Sequence, residues 1–365
     1  MIFGHCRTEY RRPFPGADRS VRRRCPKVRA SETRANNVSR AVPQVSEGKV
    51  KLQVSTEHIP VALERTIELL APALTSATPC VIDATLGLGG HAEQLLERFT
   101  ALHLIGIDRD KSALEKAAAR LSRFENRVTL VHAVYDQITD VARESGYSTV
   151  QGILFDLGVS SMQLDQSSRG FAYSHDAPLD MRMDQSRGVS AHEVINTFSH
   201  EELTRILRVY GEEKFASRIA ARIIDARKIA PLNSTVTLAE LVKESIPAAT
   251  RRVGGNPAKR TFQALRIYVN NEIEVLERAI PAALRLLEIT GRMVVLSYHS
   301  LEDRIVKQAF TEVTSSEVPH GLPVEPTPAP FHLLTRSSES ASDEEIAFNP
   351  RAQSVRIRAI ERRAA

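Results

Sequence analysis

Four polar residues in this chain stand where an apolar run stops. Val81-Ile82 ends in Asp83, Leu102–Ile107 in Asp108, Val128–Val134 in Tyr135, and Gly152–Phe155 in Asp156. A carboxylate at a strand end can accept hydrogen bonds from sugar hydroxyls or an amine, and an aromatic ring offers a face to a flat heterocycle. After Asp83 comes Ala84-Thr85-Leu86-Gly87-Leu88-Gly89-Gly90-His91, then helical spacing over Ala92–Phe99. Glycines between a strand and a helix let backbone N–H groups and a helix N-terminus approach a ligand. Asp108 lies 18 residues beyond Gly90, close to the roughly 20-residue offset at which an acid on a second strand meets ribose hydroxyls. This pattern implies a βαβ unit for an adenosine-containing cofactor. By itself it suits NAD as well as S-adenosylmethionine.

The elements that must carry these groups can be read in chain order. Pro60 stands in a first-turn position, and Val61, Leu63, Ile67 and Leu70 predict a helix ending by Pro72. Four strands alternate with helices, one of them over Lys111–Leu121. That alternation predicts an α/β fold with a doubly wound parallel sheet, whose ligands sit beyond the strands' C-terminal ends. From Asp165 the pattern becomes loop-like, then helical, with capping boxes at Ser190/Glu193 and Ser199/Glu202. A basic loop spans Thr250–Arg260, and a longer helix carries Phe262, Leu265, Val269, Ile273, Leu276 and Ile280. Met293–Leu296 resumes the sheet, and Phe331–Leu334 with Ser354–Ile360 forms a closing antiparallel pair. The expected division is a basic tail over 1–51, sheet over 52–164, a helical insertion over 165–260 and sheet again over 261–365. An insertion at that point overlies the ligand rim and can build a substrate cleft.

Composition narrows the class. With 365 residues, 42% of them hydrophobic, the chain can bury a large core. No apolar run is long enough to span a membrane. Cys6, Cys25 and Cys80 make no metal spacing, which fits a reducing cytoplasm and no structural metal. The net charge of +5 is unevenly placed: residues 1–51 hold 13 Lys/Arg against 4 Asp/Glu, the remainder 36 against 40. The tail reads as disordered: an RNA-binding arm, a targeting segment, or translated sequence upstream of the true start.

Longer motifs then select one family. Asp83–His91, Gly106–Asp110, Asp156–Leu164, Arg169–Phe171, Pro178–Asp184, Tyr210–Glu213, Arg260–Ala264 and His299–Arg304 follow one another in order. Together they resemble the RsmH (MraW) family, enzymes that methylate the exocyclic N4 of a cytidine in the decoding region of 16S ribosomal RNA. The resemblance runs from about His58 to Lys307. It implies a class I, Rossmann-like methyltransferase sheet with a helical insertion domain, and S-adenosyl-L-methionine as the cofactor. It further implies that Gly89, Gly90 and His91 line the cofactor's methionine side, that Asp108 holds the ribose, that Tyr135 lies by the adenine, and that Asp156 and Gln163 complete the site. The implied partner is 16S rRNA within the small subunit or a late precursor, in the cytoplasm and away from membranes, with a homodimer left open. This chain has Tyr135 where the family usually has Phe, and Met162 where it has Pro.

The chemistry asks little of the side chains. A sulfonium methyl is already activated, so the protein must hold a nucleophile in line and exclude water. Cytosine N4 is a poor nucleophile, and an acceptor for its amino protons favours the attacking, pyramidal form. Asp156 is the candidate acceptor; the alternative makes it only a cofactor ligand. His299, Glu302 and Asp303 have the look of a metal or acid–base cluster, but a helix cap with Arg304 paired locally is the favoured reading. His91 is read as a cofactor contact through its backbone. Asp180, Arg182 and Asp184 suit a salt-bridged loop or a base-recognition loop equally, and the basic loop 251–260 suits RNA phosphates.

Overall fold

The computed structural model describes residues 59–248, 256–315 and 328–363. The tail 1–51 and residues 250–255 of the basic loop lie outside the described residues. Seven strands make one sheet: β1 (Cys80–Asp83), β2 (His103–Asp108), β3 (Val128–His132), β4 (Val150–Asp156), β5 (Leu287–Ser297), β6 (Phe331–Leu333) and β7 (Arg356–Arg362). Their order is β3-β2-β1-β4-β5-β7-β6. The pairs among β1 to β5 are parallel, and β7 lies antiparallel between β5 and β6. This is a Rossmann-like methyltransferase sheet with the closing antiparallel pair that the apolar runs predicted. The chain order reverses direction between β1 and β4, and a doubly wound sheet opens its ligand crevice at such a point.

The central strands β1 and β4 are buried along nearly their whole length, so both faces of the sheet must be covered there. Leu63–Leu70 (α1), Gly90–Arg98 (α2) and Lys111–Leu121 (α3) cover one face, burying Leu70, Leu95, Leu96 and Leu121 against Val81, Leu104 and Leu154. Ile138–Glu144 (α4) covers the other, together with the two long helices that flank β5. Among the described residues, no helix is long and apolar enough to cross a membrane.

After the short helix Ser161–Asp165 (α5), a second apolar core forms from Ala191–Thr197 (α6), His200–Gly211 (α7), Ala216–Ile229 (α8) and Thr235–Ser245 (α9). Ser190, Ser199 and Ser234 cap three of these helices, each accepting the N–H three residues on. Lys259–Asn270 (α10) adds Phe262, Leu265 and Val269 to the same core. A division at residue 260 therefore runs through the first turn of a helix whose apolar face belongs with the insertion. All of this lies within one compact unit, Thr56–Ala365.

One expected element is corrected. The single long helix predicted from Phe262 to Ile280 is two helices, α10 and Glu272–Leu286 (α11), broken at Asn271 with φ 51°. Asparagine tolerates this left-handed conformation better than most residues. Asn270 braces the break: its side-chain amide donates to the Met181 carbonyl at 2.7 Å, and its oxygen accepts the Met183 N–H at 2.7 Å. Phe262, Leu265 and Val269 of α10 serve the insertion core, which Ile273 also meets, while Leu276 and Ile280 of α11 serve the sheet.

Candidate active site

A cavity of about 650 Å³ opens over the C-terminal ends of β1, β2 and β4, within the usual range of small-molecule sites. Gly90, His91, Asp108, Tyr135, Asp156 and Gln163 all line it. Gly89 does not; it sits behind the wall at φ 75° as the left-handed residue before α2. Gly90 is needed for packing, because a Cβ there would stand 2.6 Å from the Pro60 ring. Asp83 ends β1 as expected but is only 2% exposed, below the cavity. Burial pushes its carboxyl up to about 7, opposed by the Thr85 N–H and reinforced by the nearby charges of Asp156 and Asp108.

Asp108 holds the glycine turn and the start of α3. Its Oδ2 accepts the Gly87 N–H and its Oδ1 the Asp110 N–H, both at 2.8 Å. Burial raises its carboxyl to about 6 in spite of these two bonds. Tyr135 opens a single helical turn after β3, edge-on to Phe155 at 5.7 Å. The Arg109 guanidinium lies 6.0 Å from its ring centroid.

Asp156 is the most constrained of the predicted residues. Its backbone N–H donates to Thr85 Oγ1 at 2.6 Å, and the Tyr298 hydroxyl donates to its Oδ1 at 2.7 Å. Its Oδ2 faces His91 Nδ1 at 3.7 Å. His91 Nε2 is 3.0 Å from the Val61 carbonyl oxygen. A carbonyl only accepts, so in the neutral ring Nε2 carries the proton and Nδ1 is an acceptor. In that neutral form two acceptors face each other at the cavity wall and a ligand donor would satisfy both, whereas a charged ring pairs with the carboxylate itself. Burial raises the Asp156 carboxyl above its ordinary range, with His91 and Tyr298 opposing the shift and Glu302 adding to it.

The loop after β4 is built by a reciprocal cap. Ser160 Oγ accepts the Gln163 N–H, and Gln163 Oε1 accepts the Ser160 N–H at 3.1 Å. This cap organises the loop in the absence of a proline at 162, where Met162 is instead buried. The other end of Gln163 donates to Asp110 Oδ2 at 3.0 Å, which also takes Arg169 Nη1 at 2.9 Å. Arg169 and Asp110 are 5% and 4% exposed. Arg169 Nη2 reaches on to the carbonyls of Arg182 and Met183. Gln163 therefore joins a buried network that ties β2, the β4 loop and the 178–184 segment together.

Several other expectations meet definite outcomes. His299 caps Ser300–Thr314 (α12), with Nδ1 accepting the Glu302 N–H at 3.4 Å and Glu302 returning the bond to the His299 N–H at 3.3 Å. Arg304 pairs not locally but with Glu212 of the insertion at 3.3 Å, while Asp303 is held by Arg356 and Arg358. Asp180 pairs with Arg182, and Asp184 with Arg187, both at 2.9 Å. Only Met183 of that loop lines the cavity, so its charges form a salt-bridged support. Two features escaped sequence reasoning. Tyr298, on the same rim at the end of β5, bonds Asp156 from 142 residues away. The segment around Arg351, between Asp343–Phe348 (α13) and β7, adds Pro350, Arg351 and Ser354 to the cavity wall and bonds Ser161.

A Rossmann-like sheet closed by the antiparallel β7, a left-handed glycine turn and acids at three strand ends make a site for an adenosine-containing cofactor, and the family match below selects the class of S-adenosylmethionine-dependent methyltransferases. The sequence pattern of the MraW methylase family matches residues 55–363. The chain belongs to that family. Ribosomal RNA small subunit methyltransferase H of Salinispora tropica is 60% identical over 311 residues, covering 84% of each chain. The protein of the same name from Saccharopolyspora erythraea is 59% identical over 307 residues, covering 84% of this chain and 93% of that protein. Among solved structures, an rRNA methylase from Streptococcus thermophilus has a TM-score of 0.39 at 12% identity, over 84% of this chain and 98% of that one.

Proposed function

We propose that this protein transfers a methyl group from S-adenosylmethionine to the exocyclic N4 of a cytidine in small-subunit ribosomal RNA. The observation that carries the reading is Asp156: it lines the cavity, and the Tyr298 hydroxyl takes its Oδ1, so Oδ2 is the acceptor offered to an amine. The names of relatives near 60% identity supply the RNA class, and the motifs named at the outset supply the atom and the decoding region. The substrate is then 16S rRNA in the small subunit or a late precursor, and the compartment the cytoplasm. A homodimer is compatible with this reading and is not required by it.

In this reading Gly90 and His91 border the methionine end, Gly89 shapes the turn behind them, and Asp108 accepts the ribose hydroxyls. Tyr135 borders the adenine, and Gln163 holds the loop beside it. His91 Nδ1 suits the cofactor's ammonium, and Asp156 Oδ2 is kept for the base. When bound, the cofactor supplies an activated methyl. The chain's own residues position the amine, exclude water and accept N4–H at Asp156 Oδ2. Phe171, Tyr173 and Phe262 line the cavity and offer the base apolar surface.

Mass spectrometry of rRNA from cells with and without the protein tests this directly. The expected result is one N4-methylated cytidine lost from 16S rRNA on deletion and restored by the gene. An unchanged 16S nucleoside profile would refute the assignment.

A further inference from the structure

Glu212, the residue after α7, stands where the insertion meets the sheet. It takes the left-handed conformation at φ 47°, and its groups tie three elements together. Its carbonyl accepts Arg260 Nη1 of α10 at 2.8 Å. Its carboxylate accepts Ser300 Oγ at 2.9 Å and Arg304 Nη2 at 3.3 Å, both from α12. The Glu212 and Arg304 side chains are 47% and 66% exposed, so their pairing adds little to stability.

Near this joint the charges are sorted. Lys259 adjoins Arg260, Lys214 follows Glu212 by two residues, and Lys307 follows Arg304 by one turn on the same side of α12. All five cations are exposed, whereas Glu213, Glu302 and Asp303 from the same stretches of chain are buried. Glu213 and Glu302 accept backbone N–H groups, and Asp303 is held by Arg356 and Arg358. Among the described residues, Lys214, Lys259 and Lys307 have no hydrogen-bond or ion-pair partner. Composition does not account for this patch, because residues 52–365 hold 36 Lys/Arg against 40 Asp/Glu. The patch also runs into the cavity: Lys259 lines it, and so does His299, the cap beside Ser300. Both α10 and α12 begin here, and their N-termini add partial positive charge.

An exposed cationic patch continuous with the rim of an active site fits a polyanion. We propose that the RNA strand beside the target nucleotide crosses this joint, with its phosphates on Lys259 and Arg260 of α10 and on Arg304 and Lys307 of α12. This rests on the RNA reading above and extends the contact from the insertion to the sheet. Phe262 and Leu265 of α10 belong to the insertion core, and Val306 and Phe310 of α12 to a sheet core, so the strand spans the seam between them. Glu212 is the exposed acid on this path and opposes the strand.

The test measures binding to small subunits from cells lacking the protein, and to their protein-free 16S rRNA, as salt is varied at fixed magnesium. Arg304→Gln with Lys307→Gln should weaken binding to both. The slope of log affinity against log salt should flatten by about 0.7–0.9 for each cation removed. Glu212→Gln keeps an acceptor for Ser300 but removes the opposing charge, and should tighten binding by up to about fivefold. A mere brace between the two cores predicts the opposite sign, since either substitution would loosen the same joint. Lys116→Gln with Arg285→Gln removes two exposed cations from α3 and the end of α11 and should leave the slope unchanged. An unchanged slope in the Arg304/Lys307 variant, equal flattening in that control, weaker binding by Glu212→Gln, or a loss confined to intact subunits would each overturn the proposal while N4 methylation stands. Wild type that fails to methylate the subunits at N4 would instead overturn the functional reading itself.

Discussion

Replacing Asp156 by asparagine tests the centre of the mechanism, and the geometry fixes what the replacement does. The Tyr298 hydroxyl donates to Oδ1 at 2.7 Å and His91 Nδ1 lies beside Oδ2, so the asparagine that keeps the Tyr298 bond turns its carbonyl oxygen to Tyr298. Its NH₂ group then takes the place of Oδ2, next to His91 and facing the cavity. A donor replaces the acceptor that the amine needs, and the negative charge is lost as well. Removing one such electrostatic contact typically costs about 3–4 kcal/mol, or roughly a hundred- to a thousandfold in rate. RNA affinity should change far less, because phosphate contacts elsewhere carry most of it. The assay is single-turnover methylation with saturating cofactor and RNA. If Asp156 only holds the cofactor, saturation restores the rate, and a near-normal value refutes the amine-acceptor role. Tyr298→Phe supplies the control, because it frees the asparagine amide to rotate. Adding it to Asp156→Asn should return part of the lost rate.

Four further outcomes follow from the same structure. Asp108→Ala should weaken cofactor binding by about tenfold or more, since charge-assisted bonds are each worth roughly 1.5–3 kcal/mol; equilibrium dialysis showing unchanged affinity in a folded variant would remove Asp108 from the site. Deleting residues 1–51 should leave melting and cofactor affinity nearly unchanged but flatten the salt dependence of RNA binding, whereas a large fall in melting temperature would make the tail structural. Arg169→Met strands the 4%-exposed Asp110 carboxylate and should destabilise the fold by about 3–5 kcal/mol in denaturant titration, with a loss under 1 kcal/mol counting against the buried network. The Asp83 carboxyl is raised to about 7 in the fold, so its stabilising effect is complete below the unfolded value near 3.8 and is lost as pH rises through 7. Asp83→Asn should therefore reduce the fall in apo-protein stability between pH 4 and 8, and an unchanged slope would contradict the buried placement.

The rim was legible because each strand announces its own end. Asp83, Asp108 and Asp156 close apolar runs of period and length that suit buried strands, and the glycines between the first two fix the turn. Asn271 was not legible in the same way. The apolar spacing from Phe262 to Ile280 continues through it, and nothing local says that one half faces a different core. Gln163 was found only by resemblance, and its bond to Asp110 spans 53 residues. The Tyr298–Asp156 and Arg169–Asp110 contacts join residues 142 and 59 positions apart. Periodicity reports which face of an element is buried, but not which side chain from another element meets it there.

The wall contributed by Pro350, Arg351 and Ser354 bears on how the protein is made. Asn349 also donates to the Ile59 carbonyl, and Glu345 accepts the Ala62 N–H, so late residues fasten the first helix in place. The next residues form β7, which inserts between β5 and β6. During synthesis the glycine turn and its acids emerge long before these partners exist. A nascent chain can pair β1 with β2 and β4, yet it must wait for nearly the whole sequence before its last edge strands and the near wall close. Domains tend to assemble from the N-terminus as they emerge, and long-range pairings are the slow ones. Ligand-competent folding should therefore be a late event on the ribosome, and chains stalled before residue 350 should bind cofactor poorly despite carrying every glycine and acid of the rim.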